Sequence, residues 1–265
     1  MLDFKFKEKY STDDLLHIMR LLRSEDGCPW DRVQTHQTIR GNVLEEAYEV
    51  ADAIDCGDSS ALCEELGDLL MQVVFHAVMA EEEHSFTMDD IADGVCKKLI
   101  NRHPHVFGSV NADTVDKVLD NWDAIKREEK HQQTYTDTLK SVPRAFPSLL
   151  RAAKVQKRAA KAGFDWDSAD GAWDKLDEEI SELRGAVSRG NTADIEEELG
   201  DLLFSAVNVS RFLGVDAEQA LARSTDKFTD RFEAVETLAV KRGIDMKNSS
   251  LAELDRLWDE VKQHS

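Results

Sequence analysis

The chain has 265 residues, with 53 acidic side chains against 33 basic ones and a formal net charge of −20. Such a surplus repels nucleic-acid backbone and anionic membrane, so neither is expected as a partner; a polyphosphate can still bind where metal ions supply local positive charge. Thirteen glycines and four prolines leave little material for a turn-rich β fold, while 42% hydrophobic residues suffice for a core in one large domain or two ordinary ones.

The stretch Met1-Leu2-Asp3-Phe4-Lys5-Phe6-Lys7 is mixed and charged, so no signal peptide is expected. No run reaches about 18 consecutive apolar residues, so no membrane span is expected. Cys28, Cys56, Cys63 and Cys96 include no CxxC pair, and none lies in the second half. A reduced, cytoplasmic chain without zinc site or disulfide framework is the expectation.

In chain order, Ser11 or Thr12 caps a first helix with Leu15, Ile18, Met19 and Leu22 on one face. Helices are predicted over 36–56, 60–84, 87–102 and 113–131. The stretch from Thr134 to Pro147 has no sustained period and reads as a linker. Helices resume over 148–162, 169–189, 192–213, 216–242 and 250–264, and no strand alternation stands out. The expected architecture is therefore all-α, with two tandem helical-bundle domains at 1–133 and 148–265 joined by a linker at 134–147.

The two halves repeat one another. Glu45-Glu46-Ala47-Tyr48-Glu49 is followed, after fifteen residues, by Glu65-Leu66-Gly67-Asp68. Glu178-Glu179-Ile180-Ser181-Glu182 is followed, after another fifteen, by Glu198-Leu199-Gly200-Asp201. Gly27-Cys28-Pro29-Trp30-Asp31 parallels Gly163-Phe164-Asp165-Trp166-Asp167. Lys98 and Arg102 recur as Lys227 and Arg231, and Trp122 and Lys126 recur as Trp258 and Lys262. A unit this long is a duplicated domain, not a solenoid repeat.

An EExxE run alone is well explained as the solvated face of an amphipathic helix, with Leu44, Ala47, Tyr48, Ala51 and Ile54 opposite. The second acidic helix is harder to explain that way. From Leu66 to Ala80 it is apolar nearly all round and is expected to be largely buried, with Glu65, Asp68 and Gln72 as a narrow polar stripe. The other copy shows Glu198, Asp201 and Ser205 in the same places. Two carboxylates about 5 Å apart repel by roughly 3 kcal/mol at an effective dielectric near 20. Four or five converging acids need protons or a cation, and Mg²⁺ accepts carboxylates together with phosphates and water. Interior Gly67 and Gly200 fit close approach of a neighbouring helix or a ligand. For the recurring Lys/Arg and Trp/Lys pairs, solvated cations covering their neighbours are the plain alternative to phosphate and base contacts. The run Arg151, Lys154, Lys157, Arg158 and Lys161 reads as a solvated basic face. A lone Glu81/His84 ExxH does not make a di-iron site. Neither GxxxxGK[ST] nor GxGxxG is present, so a bound nucleotide would be held by metal and side chains.

The doubled EExxE…ExxD pattern, together with Arg102-His103-Pro104-His105-Val106-Phe107 and Gly163-Phe164-Asp165-Trp166, resembles the two-domain bacterial MazG nucleoside triphosphate pyrophosphohydrolases over essentially the whole chain. The resemblance implies an all-α homodimer of intertwined bundles. It implies hydrolysis of NTPs, ATP among them, and dNTPs to monophosphate and pyrophosphate with Mg²⁺, for which Mn²⁺ can substitute. It implies Glu179, Glu182, Glu198 and Asp201 as metal ligands, with Glu46, Glu49, Glu65 and Asp68 as the first-half set. Lys175, Lys227, Arg231, Trp258 and Lys262 become nucleotide contacts, and Lys98, Arg102, Trp122 and Lys126 are their first-half counterparts. Lys175 is matched by Asn42, in keeping with a catalytic second half. Glu178 is the candidate general base; a further ligand, or a residue behind the ligands, is the alternative. A metal-dependent nucleotide-binding regulator with vestigial catalysis is the alternative for the whole chain.

Overall fold

The structure, a computed structural model, describes residues 4–110, 113–130 and 132–263. The fold is all-α, and no strand occurs among the described residues. The chain divides into two compact units, Met1–Lys126 and Arg127–Ser265. The first holds α1 (Thr12–Arg23), α2 (Pro29–Val33), α3 (Arg40–Cys56), α4 (Ser59–Glu82), α5 (Met88–Arg102), α6 (Pro104–Phe107) and most of α7 (Val115–Glu129). The second holds α8 (Tyr135–Lys140), α9 (Ser148–Lys161), α10 (Ala169–Arg189), α11 (Thr192–Phe212), α12 (Ala217–Arg242) and α13 (Leu251–Gln263).

Each predicted long helix is present, with its ends within a few residues of those expected. Three short helices, α2, α6 and α8, fall where none was expected. The last of them corrects the linker at 134–147. Thr134 and Asp137 form a capping box that starts α8. Arg158 of α9 then donates to the carbonyl of Thr138 and, at 2.7 Å, to Ser141 Oγ, holding the segment against the second unit. Arg158 is thus not part of a solvated basic face. The boundary between units falls inside α7, ahead of the expected position.

Each unit is organised around one tight helical hairpin, α3–α4 in the first and α10–α11 in the second. The turns share their chemistry. Gly57 and Gly190 close α3 and α10 in the left-handed conformation, at φ 69° and 72°, where a side chain would be strained. The next residue caps the following helix: Asp58 accepts from the amides of Ser60 and Ala61, and Asn191 from that of Ala193. A one-glycine reversal forces the two helices antiparallel. It also explains the fifteen-residue spacer. Glu49 and Glu65 stand eight residues either side of Gly57, and Glu182 and Glu198 eight either side of Gly190. At 1.5 Å rise per residue both members of each pair sit at the same level, roughly 12 Å from the turn.

Packing is concentrated away from the turns. In the first unit Met19 and Ile39 close on Val74, Phe75, Val78 and Met79 of α4. In the second, Val235, Ala239 and Leu257 join α12 to α13, with Trp258 against them. The acidic ends of the hairpins are less covered than the sequence suggests. Tyr48 is 59% exposed and Leu203 52%, and Leu44, Ile54, Leu66, Leu199 and Phe204 are also exposed. The expectation of a largely buried ExxD helix therefore holds for Val74–Ala80 and fails nearer the turn. There each helix has a hairpin partner on one side, and its unit leaves these apolar side chains largely exposed on the other.

Gly67 and Gly200 are open in the chain: a Cβ built on either meets nothing within 4 Å. The expected close approach of a neighbouring helix is not made inside either unit. Gly200→Ala should therefore raise unfolding free energy by up to about 1 kcal/mol through helix propensity alone. Urea denaturation of the purified chain checks this, and a loss of stability would mean that a second molecule approaches at this point.

Candidate metal and nucleotide site

The hairpin register brings three carboxylates together in each unit. Glu46, Glu49 and Glu65 offer oxygens that all lie within 4.8 Å of one another, and so do Glu179, Glu182 and Glu198. Asp68 and Asp201 lie three residues along the same helix faces but outside these convergent triplets. Glu45 and Glu178, first in each EExxE, are exposed and also outside them.

In the second unit Glu179 is only 4% exposed. Lys175, one turn earlier on α10, approaches Glu179 at 2.8 Å and Glu178 at 3.0 Å. These two hydrogen-bonded carboxylates hold the Lys175 ammonium charged far above its usual range. The other oxygen of Glu179, Oε2, is buried with no hydrogen-bond partner. Buried carboxylate oxygens are costly without a partner. An orphaned oxygen inside a triplet of hard carboxylate donors fits a divalent cation such as Mg²⁺.

In the first unit Lys175 is replaced by Asn42, and the inner glutamate is held differently. Gln72 Nε2 donates to Glu46 Oε1 at 3.2 Å, and Gln72 itself is 3% exposed, with its carbonyl oxygen unpartnered. Ser205 occupies the corresponding place on α11.

The clusters resist ionisation. Desolvation first, then the charges of Glu65, Glu46 and Glu45, pushes the Glu49 carboxyl above the usual range. Glu65 is raised by desolvation and by Glu64, Asp68 and Glu46. Glu198 is raised by desolvation and by Glu182, Glu179, Glu197 and Asp201. A carboxylate raised in the folded state binds its proton better there than in the unfolded chain, so ionising it costs stability. Without divalent cation, these three groups should make unfolding easier as pH rises from the ordinary glutamate range through their raised values. Millimolar Mg²⁺ should flatten that dependence. Thermal melts across pH, with and without Mg²⁺, check both statements; identical curves would contradict them.

Apart from Lys175, the basic and aromatic candidates lie on other helices. In the first unit the Arg102 guanidinium sits 5.3 Å from the Trp122 ring centroid, and His103 packs edge-on to the same ring. The two recurring pairs thus meet, and Arg102 is buried. Lys98 is exposed and Lys126 half-buried. In the second unit Trp258 packs with Phe228 at 5.2 Å between centroids and joins the α12–α13 core. Lys227 and Lys262 are exposed, and Arg231 is half-buried. Among the described residues no hydrogen bond or ion pair joins Lys227 or Arg231 to the acids, whereas Lys175 is already in place. The Lys175 ion pairs were not anticipated, although its i+3 and i+4 spacing to Glu178 and Glu179 carries the signal.

All four cysteines are free thiols, and no helix among the described residues is long and apolar enough to cross a membrane. The MazG nucleotide pyrophosphohydrolase domain matches residues 34–107 and 171–235, each match spanning one acidic hairpin in whole or large part. The chain is 46% identical over 256 residues to a protein of Escherichia coli K12 named nucleoside triphosphate pyrophosphohydrolase, covering 95% of this chain and 97% of that one. It is 41% identical over 250 residues to the Thermotoga maritima nucleoside triphosphate pyrophosphohydrolase/pyrophosphatase MazG, covering 94% and 95%. It is 42% identical over 153 residues to a Mycobacterium tuberculosis protein named nucleoside triphosphate pyrophosphohydrolase, covering 57% of this chain and 45% of that one. With a domain match in both halves and relatives aligned over nearly their full length, the chain belongs to the MazG nucleotide pyrophosphohydrolase family.

Proposed function

We propose that this chain hydrolyses nucleoside triphosphates, ribo- and deoxyribo- alike, to the monophosphate and pyrophosphate with Mg²⁺, Mn²⁺ substituting. The observation that carries the reading is the buried, unpartnered Oε2 of Glu179 within the Glu179, Glu182 and Glu198 triplet. The names of the aligned relatives supply the reaction.

Glu179, Glu182 and Glu198, with Asp201 alongside, would hold the cation. When bound, Mg²⁺ supplies positive charge to the triphosphate and to the departing pyrophosphate. Glu178 takes the proton of the attacking water as it adds to the α-phosphorus. It suits this role because it adjoins the triplet without belonging to it. Lys175, Lys227 and Arg231 stabilise charge on the phosphates, with Lys262 beside them. Trp258, half-buried with one side in the core, offers the remaining ring surface to a base or ribose.

The working molecule is a cytoplasmic homodimer in this reading. The exposed apolar residues of each hairpin, Tyr48 in the first unit and Leu203 and Phe204 in the second, support it, since exposed apolar side chains on a helical hairpin call for cover. Incubating the chain with mixed NTPs and Mg²⁺ and separating the products by anion exchange tests the activity. Monophosphate with pyrophosphate is expected. Diphosphate with phosphate, or tight nucleotide binding without turnover, would overturn it, the latter in favour of a regulator.

A further inference from the structure

The two acidic hairpins share one frame but neutralise it differently. Fifteen residues before and after Gly190 stand Lys175 and Ser205; fifteen before and after Gly57 stand Asn42 and Gln72. Each pair therefore occupies one level of its hairpin, just beyond the acids. In the second unit the long cation lies opposite a small serine, and its ammonium reaches Glu178 and Glu179. In the first unit the long side chain comes from the other helix and is neutral. Gln72 gives Glu46 a single hydrogen bond, and among the described residues no Lys, Arg or His pairs with Glu46, Glu49 or Glu65. The first cluster is therefore three carboxylates without an internal countercharge, the second three carboxylates with one. Beside the first lies Gln72, whose amide nitrogen is bonded to Glu46 and whose Oε1 is buried without a partner. Neutral amide oxygens are ordinary ligands of hard divalent cations.

Resting on the reading that these carboxylates hold a divalent cation, we propose that the first-unit cluster is the tighter cation site of the chain when no nucleotide is present, Gln72 turning its amide over so that Oε1 joins Glu46, Glu49 and Glu65 on the cation. The second cluster takes its cation together with the triphosphate. Lys175 blocks it electrostatically until a phosphate oxygen draws the ammonium away from Glu179. The duplication thus separates two tasks: one site loads with metal alone at low concentration, and the other binds metal weakly until substrate arrives and so holds little of it idle.

The test is titration of the full chain with Mn²⁺ alone, free Mn²⁺ being read by electron paramagnetic resonance. Two steps are expected, at least about tenfold apart, or about 1.4 kcal/mol. Glu46→Gln with Glu49→Gln should abolish the tight step, and Glu179→Gln with Glu182→Gln the weak one. Lys175→Asn should tighten the weak step by about tenfold, and Asn42→Lys should weaken the tight step by a similar factor. The reciprocal pair tests the ranking without removing any acid, so it stands even if an acid variant misfolds by circular dichroism. Two equal steps, a tight step that survives the first-unit change, or a weak step unmoved by Lys175→Asn would overturn the ranking alone. No Mn²⁺ binding by the unsubstituted chain would overturn the carboxylate–cation reading and this proposal with it.

Discussion

Glu179→Ala combined with Glu182→Ala should lower the rate of pyrophosphate release by about 10³-fold or more, because a catalytic cation supplies several kcal/mol of charge stabilisation and each 1.4 kcal/mol is tenfold in rate. Both residues belong to the convergent second-unit triplet. The fold should survive. Removing two mutually repelling carboxylates relieves the apo-protein, and the freed Lys175 keeps its 3.0 Å contact with Glu178. Circular dichroism and a melt of the variant separate catalytic loss from unfolding. A folded variant with unchanged pyrophosphate release would remove these residues from the site. The matching pair Glu46→Ala with Glu49→Ala should lose far less, since Asn42 cannot supply the phosphate contact that Lys175 can. Comparable losses would show that both units turn over substrate.

Glu178→Gln should lower kcat by about 10²- to 10⁴-fold, the usual contribution of a positioned general base. The amide keeps the shape and can still accept from Lys175, so the second-unit cluster should remain assembled. Mn²⁺ affinity is therefore expected to stay near that of the parent chain, and the fall should appear in kcat and kcat/KM together. If the variant instead loses metal affinity and recovers activity at high Mg²⁺, Glu178 is a ligand and another group takes the proton.

The long helices were legible because their apolar periodicity and caps agree with their packing: Ser11 before α1 and the acidic first turns of α1 and α5 are examples. The acids were legible from duplication. Their spacing was less so, because its meaning lies in the turn. Gly57-Asp58 and Gly190-Asn191 sit at the midpoint of each fifteen-residue spacer, and only a reversal there converts sequence distance into opposition across a hairpin. α8 was missed because six residues give too little periodicity, and its anchor, Arg158, is twenty residues away from Thr138. The burial of α4 and α11 near the acids was overestimated for a different reason. A helix that is apolar all round must be covered by something, but the pattern does not say whether the cover comes from its own unit. Gln72 and Ser205 were visible as polar interruptions. Their opposition to Asn42 and Lys175 emerges only once the hairpin is folded.

The central claim is that water attacks the α-phosphorus at the second-unit carboxylates. The most direct measurement is turnover of an NTP in ¹⁸O-labelled water with Mg²⁺, followed by mass spectrometry of both products. The account predicts one ¹⁸O in the nucleoside monophosphate and none in the pyrophosphate, with the signal abolished in Glu179→Ala/Glu182→Ala. Label in the pyrophosphate, or labelled inorganic phosphate beside a nucleoside diphosphate, would contradict it.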